Sequence, residues 1–136
     1  MMKMLIQHLW VWILKISKEG EAMKKVEAII RQEKLEEIKA VIDQEIEVNG
    51  MTVSQVLGCG LQKGQKSYVR GQEIITTLLP KVSVSFILAD EDVERVIDLI
   101  LETCQSEECG TGKIFVYPIE EVIRIRTRET GQAAIQ

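Results

Sequence analysis

Residues 84–100 read VSFILADEDVERVIDLI, a strand-like stretch that passes directly into a helix-like one. Val84, Phe86 and Leu88 alternate with their neighbours, and side chains two positions apart on a strand point to the same face. The following apolar positions take helical spacing, at Val93, Val96, Leu99 and Ile100. Asp90 is placed to cap this helix, and Glu91 and Asp92 suit the positive end of its dipole. A strand followed by a helix is therefore predicted.

The same pattern occurs 58 residues earlier. Val26, Ala28 and Ile30 alternate, and the next apolar residues take helical spacing, at Leu35, Ile38, Val41 and Ile42. Each unit is followed by another strand candidate, Met51 to Leu57 and Ile114 to Ile125, the second interrupted by Pro118. The order βαββαβ predicts a ferredoxin-like α+β fold, an antiparallel sheet with two helices on one face. The uncovered face of such a sheet favours oligomerisation.

Composition limits the possible functions. The 136 residues, 46% hydrophobic and 28% charged, fit one globular domain. A formal net charge of -4 argues against a general nucleic-acid binder, because such binding depends on Lys and Arg neutralising phosphates. The three cysteines, Cys59, Cys104 and Cys109, form no CxxC pair, so they predict neither a disulfide framework nor a zinc site. A reducing, cytoplasmic environment is expected.

Residues 1–22 differ from the rest of the chain. They contain Trp10, Trp12, His8 and the apolar run Leu9–Leu14, which is too short to span a bilayer. The run has three interpretations: a signal-peptide core, an amphipathic helix on a membrane or another subunit, or a start codon assigned too far upstream. We favour the third, with translation beginning at Met23, because the codons for residues 18–20 are expected to be purine-rich like a ribosome-binding site. We therefore separate an extension, 1–22, from a domain, 23–136.

The segment from Gly58 to Lys81 separates two strand candidates. It holds four of the nine glycines and four basic residues against one acid, Glu73. No steady period runs through its first half, and a long irregular loop inside a compact domain is commonly functional. Gln62 and Lys63, with Lys81 at the far end, suit a small dicarboxylate or a hard cation already held by phosphate oxygens.

Two further motifs suit an anion. Gly110-Thr111-Gly112-Lys113 precedes the strand Ile114-Phe115-Val116; glycines let main-chain N–H groups approach an anion, although this is no P-loop. Arg124 and Arg126 would point to one side of a strand, with Ile123 and Ile125 on the other, and arginine holds phosphate in bidentate fashion. The alternative for the arginines is a solvated face paired with Glu120, Glu121 and Glu129.

Taken in order, several motifs resemble the PII nitrogen-regulatory signalling proteins. They are Met23 to Ile30, Asn49 to Val53, Gly60 to Gly64, Leu79 to Val82, Gly112 to Val116 and Ile123 to Thr127. The resemblance implies a homotrimer of ferredoxin-like subunits with ATP or ADP in each cleft between subunits. It also implies sensing of 2-oxoglutarate through Mg-ATP, and a mobile T-loop, roughly Gly60 to Leu78, that docks on targets.

The resemblance also implies roles for individual residues. Phosphate contacts would come from Gly110, Thr111, Gly112, Lys113, Arg124 and Arg126. Thr52 and the Ile87 main chain would lie beside the adenine. Gln62 would complete the magnesium shell, while Gln62, Lys63 and Lys81 would form the 2-oxoglutarate site, with Lys63 also part of the switch.

Four positions depart from the family pattern; one of them, Thr111, replaces a common aspartate in the Gly-x-Gly-Lys turn, where a hydroxyl can still bond locally and little change is expected. Ile74 stands where many members carry a modified tyrosine and Gln72 where others carry a phosphorylated serine, so no covalent modification is expected, at Tyr68 included. Leu61 replaces a common arginine, which removes one phosphate contact. The expected partners are target proteins such as an ammonium transporter or a nitrogen-metabolism enzyme or regulator, with no direct nucleic-acid contact. Binding to such a transporter would bring this cytoplasmic protein to the membrane.

Other classes remain open at this point. A phosphotransferase would need a histidine in the cleft, and the only one, His8, lies in the extension, so no catalytic residue is expected. A PII-like trimer that responds to a different small molecule is the main alternative. A trimeric metal-handling module is disfavoured by the scattered cysteines.

Overall fold

The computed structural model describes residues 22–48, 50–59, 66–75, 78–107 and 111–136. Its helices and strands are β1 Met23–Ile30, α1 Leu35–Glu45, β2 Thr52–Gly58, β3 Lys66–Val69, β4 Gln72–Ile75, β5 Leu79–Ala89, α2 Asp90–Cys104 and β6 Lys113–Ile119. Two short 3-10 helices, Gln32–Lys34 and Gly131–Ala134, precede α1 and follow β6. No helix in these ranges is long and apolar enough to cross a membrane.

Four strands form the main sheet, in the order β2-β5-β1-β6 with every neighbouring pair antiparallel. Each helix therefore connects two strands that have one strand between them: β5 lies between β1 and β2, and β1 lies between β5 and β6. This is the predicted ferredoxin-like topology, which is confirmed. The strand predicted from Met51 to Leu57 is displaced by one residue, to Thr52–Gly58.

The core lies between the helices and one face of the sheet. Both predicted alternating triplets, from Val26 to Ile30 and from Val84 to Leu88, are at most 3% exposed. The helices complete the core with Ile38, Ile42, Val93, Val96, Leu99 and Ile100. Intervening residues point to the opposite face, because strand side chains alternate. We call this helix-free surface the open face; it carries Lys25, Glu27, Ile29, Thr52, Ser54, Lys81, Ser83, Ser85, Ile87, Lys113, Phe115 and Tyr117.

The prediction that Asp90 caps the second helix is wrong. The N-cap position is Ala89, and Asp90 is the first residue of α2. The Asp90 carboxylate instead accepts a hydrogen bond from Lys24 Nζ at 2.5 Å, and the main-chain N–H of Asp90 donates to the Ala22 carbonyl. Asp90, Glu91 and Asp92 do lie in the first turn, where acidic residues favour the helix dipole.

The predicted strand from Ile114 to Ile125 is also wrong in its second half. β6 ends at Ile119, and residues 125–127 form a turn. β6 is an edge strand, which tolerates Pro118, and its continuation would have a partner on one side at most. The chain instead bonds to itself: the Arg124 N–H donates to the Glu129 carbonyl at 2.9 Å, and the Arg128 N–H donates to the Arg124 carbonyl at 2.8 Å.

The long insertion contains a β-hairpin, which its irregular sequence did not predict. β3 and β4 pair antiparallel, with Val69 opposite Gln72. The two residues between them, Arg70 and Gly71, have φ values of 54° and 79°. Two consecutive positive φ values are typical of a type I′ turn, whose twist matches that of paired strands.

Candidate functional site

Gly112 stands where β6 begins, and the neighbouring strand confines it. Its φ is 108°, and a Cβ built on it would lie 1.7 Å from the main-chain oxygen of Ile29. Any side chain at this position would collide with β1. The glycine therefore allows β6 to start against β1 and sets Lys113 opposite Ile29. Gly110, the other glycine of the motif, lies outside the described residues.

Thr111, Gly112 and Lys113 line a cleft of about 550 Å³ between α2, β1 and β6. The rest of its lining is mainly apolar, and the carboxyl-terminal end of α2, including Leu101 and Cys104, closes one side. That end of a helix carries partial negative charge. Burial raises the pKa of the Cys104 thiol, so no thiolate cation-binding or nucleophilic role is favoured. This cleft does not suit a triphosphate.

Lys113 is nevertheless available to an anion on the other side of the sheet. Ile114 packs against the core, so strand alternation directs Lys113 toward the open face with Phe115 and Tyr117. Lys113 is exposed. Lys113 thus has an exposed position on the open face at the rim of β6, in addition to its place in the lining of the apolar cleft.

Thr52 and Ile87 share a second cleft of about 350 Å³. Lys25, Gly50, Ser85, Ala134 and Ile135 complete its lining. An adjoining cleft of about 420 Å³ also contains Ile87 and Ile135, together with residues 47–48 and the carboxy-terminal Gln136. The structure thus brings together the two residues predicted to flank the adenine, in a setting with both apolar and hydroxyl groups.

The Thr52 cleft and Lys113 lie at opposite edges of the sheet. Thr52 is on β2 and Lys113 is on β6, and these are the two outer strands. Three strand spacings of about 4.8 Å separate them, which is about 14 Å. One subunit therefore does not gather the two predicted halves of a nucleotide site into a single cleft.

The two arginines are not aligned on a strand as predicted. Arg124 is half-buried, its Nη1 lies 3.2 Å from Glu129 Oε1, and its Nη2 donates to the main-chain oxygen of Gln136. Arg126 lies in the exposed turn, and the expected apolar partner Ile125 is 96% exposed. The alternative, pairing with Glu129, describes Arg124 in this structure. Neither arginine lines the three clefts described above.

Lys81 lies on β5 at the base of the long insertion and is only 8% exposed. Burial lowers the pKa of its amine, Arg31 lowers it further, and Glu33 opposes both effects. Gly58 makes room for the side chain, because a Cβ on that glycine would lie 3.2 Å from Lys81 Cγ. Gln62 and Lys63, its predicted neighbours in the 2-oxoglutarate site, lie outside the described residues. Ile74 is opposite Ser67 in the hairpin.

A cluster on the open face was missed from the sequence. Lys25 Nζ lies 3.4 Å from Glu27 Oε2 and 5.6 Å from the centroid of the Tyr117 ring, within cation–π range. The Tyr117 hydroxyl donates to Glu27 Oε1 at 3.4 Å. The signal was the alternation of β1, which sets Lys25 and Glu27 on the face opposite Val26. Because Lys25 also lines the Thr52 cleft, it adds a cation there.

Comparison with known proteins identifies the family. A family model described as "Nitrogen regulatory protein P-II" matches residues 23–129. This chain belongs to the P-II family. The P-II protein of Rhizobium meliloti is 50% identical over 113 residues, which are 83% of this chain and 100% of that protein. The P-II protein of Pasteurella multocida is 45% identical over the same shares of both chains.

Solved structures agree with the P-II assignment. The structure of B. subtilis GlnK has a TM-score of 0.68 and 31% identity, and the match covers 84% of this chain and 99% of that one. The structure of a B. subtilis GlnK-ATP complex has a TM-score of 0.68 and 29% identity, covering 85% and 99%. The predicted family is confirmed, and these P-II relatives are named as regulatory proteins.

Proposed function

We propose that this P-II protein senses nitrogen and carbon status by binding ATP or ADP between the subunits of a homotrimer. The observation that carries the proposal is the position of the two half-sites at opposite edges of one sheet. Thr52 and Ile87 form the adenine half near β2, and Gly112 and Lys113 form part of the phosphate half at β6. A ring of subunits would set the β2 edge of one beside the β6 edge of the next.

The open face supports such a ring. Phe115 and Tyr117 are 41% and 42% exposed there, whereas the opposite face of the sheet is covered by helices. Aromatic side chains grouped on an uncovered sheet face are typical of an interface. A head-to-tail contact that closes on itself produces a ring in which every subunit contributes both edges. Three equivalent nucleotide sites follow for a trimer.

The effector site is proposed from Gln62, Lys63 and Lys81. Lys81 is nearly buried at the base of the insertion, where a dicarboxylate would gain an ion pair shielded from water. No cluster of three or more His, Cys, Asp or Glu side chains suited to a metal occurs in the described residues. We propose that Mg²⁺ binds through the nucleotide phosphates, as it usually does, together with the Gln62 amide oxygen.

The output is proposed to be docking of residues 60–78 on target proteins. Ligand contacts at either end of this segment would favour one arrangement of it, and such a shift is limited by the difference in ligand affinity between arrangements. Nucleotide and 2-oxoglutarate would then affect each other's binding reciprocally. We propose a cytoplasmic regulator without enzymatic activity, brought to the membrane when its target is an ammonium transporter.

Isothermal titration tests the nucleotide site. Lys113→Ala should weaken ATP binding about 10- to 100-fold, because a hydrogen bond to a charged group contributes about 1.5–3 kcal/mol. Lys39→Ala is the matched control, since Lys39 lies on the outer surface of α1 and pairs with Glu36. Equal affinity in both variants would contradict the proposed phosphate role.

A second titration tests the effector. 2-Oxoglutarate should release heat when Mg-ATP is present and not in its absence. No response at millimolar concentration, in a protein that binds ATP, would favour a P-II-like regulator of a different small molecule.

A further inference from the structure

We propose that the last residues of the chain, 132–136, form a latch that nucleotide must displace. We call this segment the C-terminal latch. It narrows the adenine half-site and holds Arg124 on internal acceptors, so that latch and nucleotide compete. The inference rests on the proposed nucleotide function and concerns regulation of that same site.

The first component of the latch is electrostatic. Arg124 is held by the Glu129 carboxylate, at 3.2 Å, and by the main-chain oxygen of Gln136. Its side chain is 29% exposed, so these contacts are partly shielded from water. A guanidinium that already has the Glu129 carboxylate and the main-chain oxygen of Gln136 as acceptors must exchange them for phosphate oxygens. The gain from a phosphate contact is reduced by the contacts given up.

The second component is steric. Ile135 lines both clefts beside Ile87, and Ala134 lines the one that contains Thr52. These clefts measure about 420 and 350 Å³, at the lower end of the range usual for ligand sites. Because Ile87 and Ile135 are common to both, moving Ile135 would join them into one larger groove along β5. The latch therefore divides the space beside Ile87 and narrows the groove in which an adenine ring and its ribose would lie.

The latch is attached firmly at its start. The Gly131 N–H donates to the Val122 carbonyl at 3.0 Å and lies 3.1 Å from Glu121 Oε1. Beyond this point, Ile135 bonds to Gln132 within the segment itself, and Gln136 reaches Arg124. Gly131 has a φ of 65°, a backbone conformation that glycine adopts without strain. A short segment held this way opens at low cost compared with a core strand.

Neutralising Glu129 tests the electrostatic component. Glu129→Gln should tighten ATP binding about two- to five-fold. An ion pair near the surface contributes at most about 1 kcal/mol, which corresponds to about a five-fold change in the dissociation constant. Adenosine binding should not change, since adenosine has no phosphate to attract Arg124. Glu120→Gln is the matched control: it makes the same change of charge on the same segment, at an exposed residue that is not a partner of Arg124.

A chain that ends at Ala133 tests the steric component. It lacks Ile135 and the Gln136 oxygen, so both ATP and adenosine should bind more tightly than to the full chain, by calorimetry. Weaker or equal adenosine binding would overturn the latch, as would Glu129→Gln behaving like Glu120→Gln. If the full chain and every variant bind neither ATP nor ADP, the proposed function fails as well. If the full chain and every variant bind nucleotide with the same affinity, the latch proposal fails and the proposed nucleotide function stands.

Discussion

At the residue scale, two positions owe their identity to close neighbours. Gly112 lies against the main chain of β1, and Lys81 is a cation placed among strands with almost no access to water. The main chain of β1 leaves no room for a side chain at residue 112. Burial lowers the pKa of the Lys81 amine. Each leads to a measurable effect.

Gly112→Ala should destabilise the fold strongly. Its positive φ alone costs about 1–3 kcal/mol for a residue with a Cβ, and the 1.7 Å approach to the Ile29 oxygen forces β6 away from β1. Gly50→Ala is the control, because a Cβ there meets nothing within 4 Å. Urea denaturation should show a large loss for the first variant and a change within about 1 kcal/mol for the second. Equal stability of the two would show that the strand contact is wrong.

Lys81 should make stability depend on pH in alkaline solution. Burial lowers its pKa below 10.5 in the folded protein, so between the folded pKa and 10.5 the unfolded chain binds more protons. The free energy of unfolding contributed by this group therefore rises with pH in that window and is constant below it. Relative to Lys81→Met, the wild type should gain stability as the pH approaches about 10.

The control for this measurement is Lys39→Met, at a side chain that is 44% exposed. Urea denaturation of the three proteins at neutral and alkaline pH gives the comparison. A difference between wild type and Lys81→Met that stays fixed, or moves the other way, is incompatible with a lowered pKa.

At the element scale, the repeated strand–helix unit determines the core. The second strand of the repeat, β5, lies in the interior of the sheet between β2 and β1, and its inward residues belong to the same buried core as residues of both helices. Phe86 is the largest of its fully buried side chains. Its environment is therefore the most sensitive to loss of volume.

Phe86→Ala should cost about 3–5 kcal/mol of unfolding free energy, because it removes buried surface and leaves a cavity. Leu101→Ala, at an apolar residue of α2 that is 48% exposed, should cost much less. Thermal or urea denaturation distinguishes them. A small loss for Phe86→Ala would mean that β5 is not the central packing strand.

Sequence periodicity predicted this core because a strand or helix that is buried on one face carries apolar residues at a regular spacing, two for a strand and 3.6 for a helix. Elements outside the core were less predictable. The strand expected through Arg124 ends at Ile119, because continuation depends on a pairing partner that no local pattern reveals. Asp90 fits a capping position by type, yet it pairs with Lys24, a residue distant in sequence. The hairpin turn at Arg70–Gly71 lacks the Asn-Gly pair that would signal it.

The site was predictable to different degrees for related reasons. Thr52 and Ile87 came from family resemblance, and the structure does bring them together in one cleft. Ile135 lines the same cleft without any sequence signal, since a single apolar residue near a chain end has no pattern. The separation of Thr52 from Lys113 follows from the strand order of the sheet. The sequence gives the order of the strands along the chain but not their order in the sheet.

At the scale of the whole molecule, the proposed ring of subunits would bury the open face and join the β2 edge of one subunit to the β6 edge of the next. Phe115→Glu places a charge on the open face and should lower the mass measured by light scattering. Val116→Glu is the control from the same strand, because alternation directs Val116 to the helix side, where it is 45% exposed. An unchanged mass for Phe115→Glu would argue against an interface on the open face.

The most direct measurement of the two-edge site mixes two defective variants. Lys113→Ala disables the phosphate half at β6, and Thr52→Trp fills the adenine half near β2, so each alone should bind ATP weakly. After the two are unfolded together and refolded, about one quarter of the sites should pair an intact Lys113 from one subunit with an intact Thr52 from the next, as expected for random mixing in a ring. That quarter of the sites should bind ATP with wild-type affinity; mixed assemblies with no recovered high-affinity sites would contradict a nucleotide site shared between two subunits.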